Sequence, residues 1–589
     1  MKSNKSNLVN YLKTNIEIAT RKTTGGLLLK NGNLVNVYSG EVYQTNVLIN
    51  NDIIVAIGED YQSAKKVIDL NGLYLLPGLI DGHIHIESSL LNLTEFARLL
   101  LLSGTTTIVA DPHEITNVLG TKGIDYILNA SKDLPLDVFI MIPSCVPATN
   151  FETAGGKITT KEIKKYLNHP RVLGLAEMMN FPGVFSAVPE VLEKIALVRQ
   201  ANKLIDGHCP RLYGKLLQAY IGAGIFSDHE CTDAKEAMEK LRSGMWIMVR
   251  EGTAARNLAD LFAMLNIRNA RRSLLVSDDK HPDDLLHNGH LNATLRKAVA
   301  LGLDPVTAIQ LATLNPAEYF RLADRGAIAP GKKADITIVD NLTDFNVKTV
   351  IKNGKIIVEN KKLKVTLPYY QDKSVLQSIK VKPFSINKLK VLVKGDKVNV
   401  IRLIPNQIIT EKWQTTIFDQ PTKEIKKRNQ YFESDLERDI LKLVVVERHK
   451  RTGNIGIGFV SGFGLKKGAI ASSVAHDSHN LVATGTNDKD IYVAIKELIK
   501  MGGGYVAVDK GKVKASLPLP IAGLMSDRPA EEVSQKLKNL LTVVKAWGSK
   551  IDNPFITLSF LALPVIPELK LTDKGLFDVT KFRIINLFE

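Results

Sequence analysis

The chain has 589 residues, 45% hydrophobic and 23% charged. That composition excludes extended disorder, and the length exceeds the roughly 250–300 residues at which one hydrophobic core stops growing. Lys and Arg number 77 against 61 Asp and Glu, a formal charge of +16 that raises nucleic acid as a possible partner. No stretch reaches the ~18 apolar residues of a membrane span, and the first 25 residues lack the apolar centre of a secretory signal. The three cysteines, Cys145, Cys209 and Cys231, are widely spaced, which excludes a disulfide framework and fits a reducing cytoplasm.

Residues 1–25 read as a polar, basic tail. Residues 26–74 alternate apolar and polar side chains between Gly and Asn turns, the pattern of short β-strands. From residue 75 to 332 the rhythm becomes apolar strand, loop, amphipathic helix. The strand candidates are LLPGLIDGHIHI, TTTIVADPH, DVFIMIPSC, VLGLAEMMN, KLIDGHC, GIFSDHE, MWIMVRE and SLLVSDD. Eight such units predict an α/β fold, a (β/α)₈ barrel. Residues 333–379 return to short strands and predict a small composite β-sandwich with 26–74. Residues 380–589 mix strands and helices and predict a separate α+β domain.

The chemistry gathers at the C-terminal ends of the predicted barrel strands, the face on which barrel sites are built. His83 and His85 end the first strand and, two residues apart, share one of its faces. Glu177 ends the fourth, His208 the fifth, His229 the sixth, and Asp278 with Asp279 the eighth. A single such histidine or carboxylate is more often structural, or a helix cap. Together, four imidazoles and two carboxylates converging on one mouth can hold one or two divalent metals with room for water. Ser88 and Ser89 read as caps of the following helix.

The segment P-G-L-I-D-G-H-I-H (77–85) resembles the first-strand signature of the amidohydrolase superfamily, metal-dependent barrel hydrolases that carry a flanking sandwich. Finer motifs resemble the bacterial adenine deaminase family within it: V-A-D-P-H-E-I (109–115), L-A-E-M-M-N-F-P-G-V (175–184), D-G-H-C-P (206–210), S-D-H-E (227–230), V-S-D-D (276–279), and G-F-G-L-K-K-G-A-I-A-S-S-V-A-H-D-S-H-N (462–480). The resemblance covers the chain beyond its tail. It implies His83, His85, Glu177, His208, His229 and Asp278 as ligands of two divalent cations, manganese first, with iron or zinc as alternatives. Glu177 stands where many relatives carry a carbamylated lysine. The implied reaction is hydrolytic deamination of adenine to hypoxanthine and ammonia, in purine salvage, with metal-activated hydroxide attacking C6. Asp278 would take the proton, while His113, Glu114 and His229 are candidates to protonate N1 and the departing amine. Asp279 and the cluster His476, Asp477 and His479 are candidate substrate contacts, the cluster also reading as a polar loop.

Two alternatives stand beside this reading. One is a different amidohydrolase acting on a cyclic amide such as a hydantoin or dihydropyrimidine. The other, a nucleic-acid-binding protein, is disfavoured by where the charge lies. Residues 1–30 carry a surplus of +5 and 346–451 a surplus of +13, which leaves the region of the proposed metal site nearly neutral. His85-Ile86-Glu87 matches half of the zinc-deaminase H-x-E pattern, but no P-C-x-x-C completes it. We therefore expect a small-molecule substrate, no nucleic-acid or membrane partner, and a homodimer, the commonest assembly.

Overall fold

A computed structural model describes residues 2–253, 255–405, 407–417 and 431–589. Eight parallel strands follow one another between Leu79–His85 and Asp278–Asp279. Five of them and the end of the eighth form a six-stranded sheet, ordered 204–207, 172–178, 137–142, 105–110, 79–85, 278–279. The other three strands, 227–228, 246–250 and 273–276, form a second sheet. The eighth strand crosses from one sheet to the other at Ser277 and pairs Asp278 with Ile84 and Asp279 with His85. The barrel thus closes at this seam. Its interior is packed by Ile80, Val109, Met141, Ala176, Met248 and Leu274, with Phe320 at one end.

Strands five and six share no backbone ladder, and side chains hold this seam instead. Ser227 Oγ accepts from Gly207 N at 3.1 Å and Asp228 Oδ1 accepts from Cys209 N at 2.7 Å. Lys240, fully buried, donates to Asp228 at 2.9 Å, to Glu236 at 2.6 Å and to the Cys209 carbonyl at 2.7 Å. These contacts set the spacing of His208 and His229, which lie one residue from Cys209 and Asp228.

The apolar run expected as one barrel strand from residue 75 divides at Gly78. Tyr74–Pro77 pairs antiparallel with Ile336–Val339, whereas Leu79–His85 opens the barrel. A Cβ at Gly78 would lie 2.3 Å from Thr106 Oγ1, so only glycine lets the chain pass from one sheet to the other here. The flanking strands form one nine-stranded sheet drawn from both ends of the barrel, around Leu29, Leu34, Val47, Ile54, Ile338 and Ile351. The segment expected as a tail carries a helix, Lys2–Ala19. Its end is docked by Ile18, which packs on Leu28, Leu48 and Val55 of that sheet. Tertiary burial, not propensity, supports a helix so rich in Asn and Lys.

The C-terminal region forms an eight-stranded sheet. Helix Asp488–Met501, capped by Asn487 and stopped by Gly502 in the left-handed region, buries Ile491, Ala494, Ile495 and Leu498 against one face. The other face packs with helix Ala530–Ala546 in the hydrophobic core shared with the barrel. Strands Ala469–Ser472 and Leu481–Gly485 of this sheet are joined by residues 473–480, which reach the barrel mouth. Among the described residues no helix is long and apolar enough to cross a membrane.

Candidate metal centre at the barrel mouth

Glu177 is the hub of the mouth. Its Oε2 lies 2.7 Å from His208 Nδ1 and 2.9 Å from His229 Nε2, and its Oε1 lies 3.4 Å from His113 Nδ1 and 3.9 Å from His85 Nε2. Asp278 is the second anchor, with Oδ1 at 3.1 Å from His85 Nε2 and 3.6 Å from His83 Nε2. The His83 and His229 rings stack at 4.0 Å. The six residues expected at the strand ends therefore meet in one cluster, all of them buried except His208, which is half-buried.

Strand ends alone do not explain this precision. Asp81, buried within the first strand, accepts from His83 N at 3.1 Å and from the Ser277 hydroxyl at 2.5 Å, and faces His290 Nε2 at 3.0 Å. It thereby fixes the eighth strand against the first just before Asp278. Asp278 itself has φ +59°, a left-handed conformation that Asp and Asn tolerate better than most residues.

The donor set fits divalent cations. His83 Nε2 and His229 Nδ1 are buried with no hydrogen-bond partner among the described residues, and so is Asp111 Oδ1. Three groupings, His85–Asp111–His113–Glu177, His83–His229–Asp278 and Glu177–His208–His229, each bring ligand atoms within 4.8 Å of one another. Burial alone would raise the Glu177 carboxyl, but the His208 and His229 rings outweigh it and hold it well below the usual carboxylate range. Burial likewise opposes ionisation of Asp278, and the facing His83 and His85 rings with the Arg250 charge reverse it. Imidazole nitrogens and ionised carboxylates together are the ligands expected for manganese, iron or zinc.

Three residues absent from the expected set lie in this cluster. Asp111 ends the second strand and contacts His113 Nδ1 at 3.1 Å. Arg250 ends the seventh, donates to Asp278 Oδ2 at 3.0 Å, and forms an ion pair with Glu230, the residue after His229. The strand-end rule that marks His83 and Glu177 marks these as well. Asp111 lies in the same D-P-H-E motif as His113, and Arg250 is a cation among expected acids and imidazoles.

The remaining predicted residues divide in two. Asp279 accepts a hydrogen bond from the Ser88 hydroxyl. Ser88 and Ser89 do not cap the next helix: Asn92 does, accepting from Glu95 N at 3.1 Å, because the short helical turn Ile86–Ser89 delays the helix start. His113 and Glu114 open a helix at the end of the second strand, and Glu114 faces the C-terminal domain. His476 Nδ1 lies 2.6 Å from Glu114 Oε1, and His479 Nε2 meets Oε2. The His476–Asp477–x–His479 cluster is thus seated on the mouth. Glu114 raises His476 to about 9 against the effect of burial, whereas burial keeps His479 down at about 4.

Truncating Glu114 to Ala leaves two buried imidazoles without their acceptor. The expected cost is about 2–5 kcal/mol, the range for breaking a buried hydrogen-bonded charge pair, read as a fall in Tm together with faster proteolysis of the 473–480 segment. The Glu114 carboxyl is held well below its ordinary range, so its stabilisation is complete at neutral pH and is lost as pH falls through that lowered value. An unchanged acid limb of stability in the variant would contradict this.

A parallel barrel with imidazoles and carboxylates on its strand ends defines a metal-dependent hydrolase of the amidohydrolase class. The amidohydrolase family matches residues 74–357, and the adenine deaminase C-terminal domain matches residues 415–583. An adenine deaminase of Desulfatibacillum aliphaticivorans is 48% identical over 565 residues, 96% of this chain and 97% of its own. Adenine deaminase 2 of Carboxydothermus hydrogenoformans is 48% identical over 575 residues, 98% and 99% of the two chains. Among solved structures, a β-aspartyl dipeptidase of Fervidobacterium islandicum AW-1 aligns with a TM-score of 0.44 at 18% identity, over 58% of this chain and 99% of its own. The chain belongs to the adenine deaminase family of the amidohydrolases.

Proposed function

We propose that the mouth hydrolyses adenine at C6 to hypoxanthine and ammonia, with His83, His85, Glu177, His208, His229 and Asp278 holding two divalent cations, manganese first. The observation that carries this reading is the Glu177 hub, a carboxylate whose two oxygens face imidazoles from the first, second, fifth and sixth strands. Cations bound there supply an activated water nucleophile at neutral pH and a Lewis acid.

The protein's own groups then handle the protons. Asp278, ionised and oriented by Arg250, takes one proton from the attacking water as the C6–O bond forms. His113, between Asp111 at 3.1 Å and Glu114 at 3.4 Å, is placed to deliver a proton to N1. The proton held by Asp278 goes to the amine as the C6–N6 bond breaks, and the proton left on the C6 oxygen replaces the one His113 gave to N1, so the water ends as the product carbonyl oxygen, the N1–H and one hydrogen of ammonia. His229 is committed to Glu177, and Glu114 to His476 and His479, which makes them weaker candidates for N1. The C-terminal segment screens the mouth from bulk water, where electrostatic stabilisation would be weaker. The small-molecule substrate, the cytoplasmic setting, the homodimer and the absence of nucleic-acid partners belong to this reading.

The deciding experiment is ammonia release from adenine, against ring opening of a hydantoin and a dihydropyrimidine, with elemental analysis of the same preparation. Adenine turnover that is lost on chelation and restored by manganese is expected, with two equivalents of metal per chain. Ring opening without adenine turnover would overturn the reading.

A further inference from the structure

Glu87 stands two residues beyond His85, in the short turn Ile86–Ser89 that follows the first barrel strand. By spacing alone it completes the H-x-E half-motif, in which a glutamate carries protons. The structure gives it a different partner. Its Oε1 accepts a hydrogen bond from Ile115 N at 2.9 Å, and its Oε2 is enclosed with no partner among the described residues. The residue is only 3% exposed. With one oxygen committed and the other enclosed, Glu87 offers the mouth no free acceptor.

Ile115 is the third residue of helix His113–Leu119, which opens at the end of the second strand. The residue before that helix is Pro112, which has no side-chain acceptor to cap it. Thr116 N is the first N–H of the helix to reach a carbonyl behind it, Pro112 O at 3.1 Å. Ile115 precedes it and is buried, so without Glu87 its N–H would be an orphan donor. A cap side chain normally accepts from the second or third N–H of its own helix. Glu87 makes that bond from the neighbouring strand.

The turn that carries Glu87 is itself fixed. The Ser88 hydroxyl donates to Asp279, and Ser526 N of the C-terminal domain donates to the Leu90 carbonyl at 2.8 Å. Leu90 sits at φ +60°, a left-handed conformation that bulky residues rarely adopt. His85 is oriented separately, because its Nδ1–H donates to the Asp111 carbonyl at 3.1 Å and leaves Nε2 toward Asp278. What depends on the Glu87 bond is the first turn of the helix, and that turn begins with His113 and Glu114. His113 Nδ1 lies 3.1 Å from Asp111 and 3.4 Å from Glu177, and its Nε2 lies 3.4 Å from Glu114.

We infer that Glu87 is a positioning residue for the reaction: it caps the helix from the neighbouring strand and so sets His113 and Glu114 against the Glu177 hub. The inference rests on the adenine reading above, in which His113 serves N1. A carbonyl oxygen at this place is sufficient, since the bond is accepted from a backbone N–H. A glutamate that carried protons in the reaction would need its acid group as well.

The test compares Glu87→Ala, Glu87→Gln and Glu87→Asp with the wild type in the full-length, manganese-loaded enzyme, reading kcat, KM, bound metal and Tm. Glu87→Ala is expected to lower kcat by about a hundredfold, the effect of roughly an ångström of misplacement, with KM within about threefold and bound metal unchanged. Glu87→Gln keeps an acceptor oxygen at the same reach and is expected to recover kcat to within about tenfold of the wild type. Glu87→Asp keeps the acid but is too short for Ile115 N, and is expected to behave as Glu87→Ala does. A glutamine variant no better in kcat than the aspartate variant would overturn the inference, because the acid itself would then be at work. A folded Glu87→Ala with wild-type kcat, or with its whole loss in KM or in bound metal, would overturn it too. Should Glu87→Ala not fold, the order of the other two variants still decides. Absence of ammonia release from adenine in the wild type would instead overturn the functional reading, and this inference with it.

Discussion

Glu177→Gln is expected to lower adenine turnover on the order of a thousandfold or more, with the bound metal falling in parallel and the fold retained. Among the described residues, the carboxylate is the only group that faces His208, His229, His113 and His85 together. The amide removes the negative charge that allows four imidazoles to gather, and it offers a donor where a ligand oxygen is needed. The barrel does not depend on that charge for closure. The 8–1 seam is held by Asp81, Ser277 and the Asp278–Ile84 pairing, and the 5–6 seam by Lys240 and Asp228. Elemental analysis, ammonia release and circular dichroism on the same sample separate loss of site from loss of fold. A folded variant with near-normal turnover would sink the assignment of Glu177. Asp278→Asn provides a matched control, since asparagine accepts the left-handed backbone at this position.

Lys240→Met should destabilise the barrel by about 3–5 kcal/mol, the cost of stripping a buried ion cluster of one partner. The lysine pairs with both Asp228 and Glu236, all three buried, and its third bond is to the Cys209 carbonyl. Methionine fills the volume but leaves two buried carboxylates without the cation they share. Because no ladder joins the fifth and sixth strands, the damage falls where His208 and His229 are spaced, so weaker metal retention should accompany the fall in Tm. Burial opposes ionisation of Asp228, yet Lys240 and His229 hold its carboxyl below the ordinary range. A depressed carboxylate contributes stability that is fully present above its unfolded value and lost as pH drops through the folded one. The parent should therefore lose this contribution only in acid, whereas the variant should lack it at pH 7. Equal unfolding free energies at pH 7 would refute the role given to Lys240.

The sequence by itself determined the barrel and its six candidate ligands, because both follow from local rules. Near-continuous apolar runs phase the strands, period-two alternation points His83 and His85 the same way, and strand ends define the mouth. Asp111, Glu230 and Arg250 were within reach of the same rule. Tertiary structure alone decided the rest. The split at Gly78 depends on Thr106 lying across from it, the helix Lys2–Ala19 on a pocket for Ile18, and the capping by Asn92 on the turn before it. Glu114 meets His476 and His479, and Asn480 meets the Thr153 carbonyl, across more than 300 residues of chain. No local pattern encodes those meetings. They exist because the C-terminal sheet packs its apolar face with the barrel core and, in doing so, carries one polar loop onto the mouth.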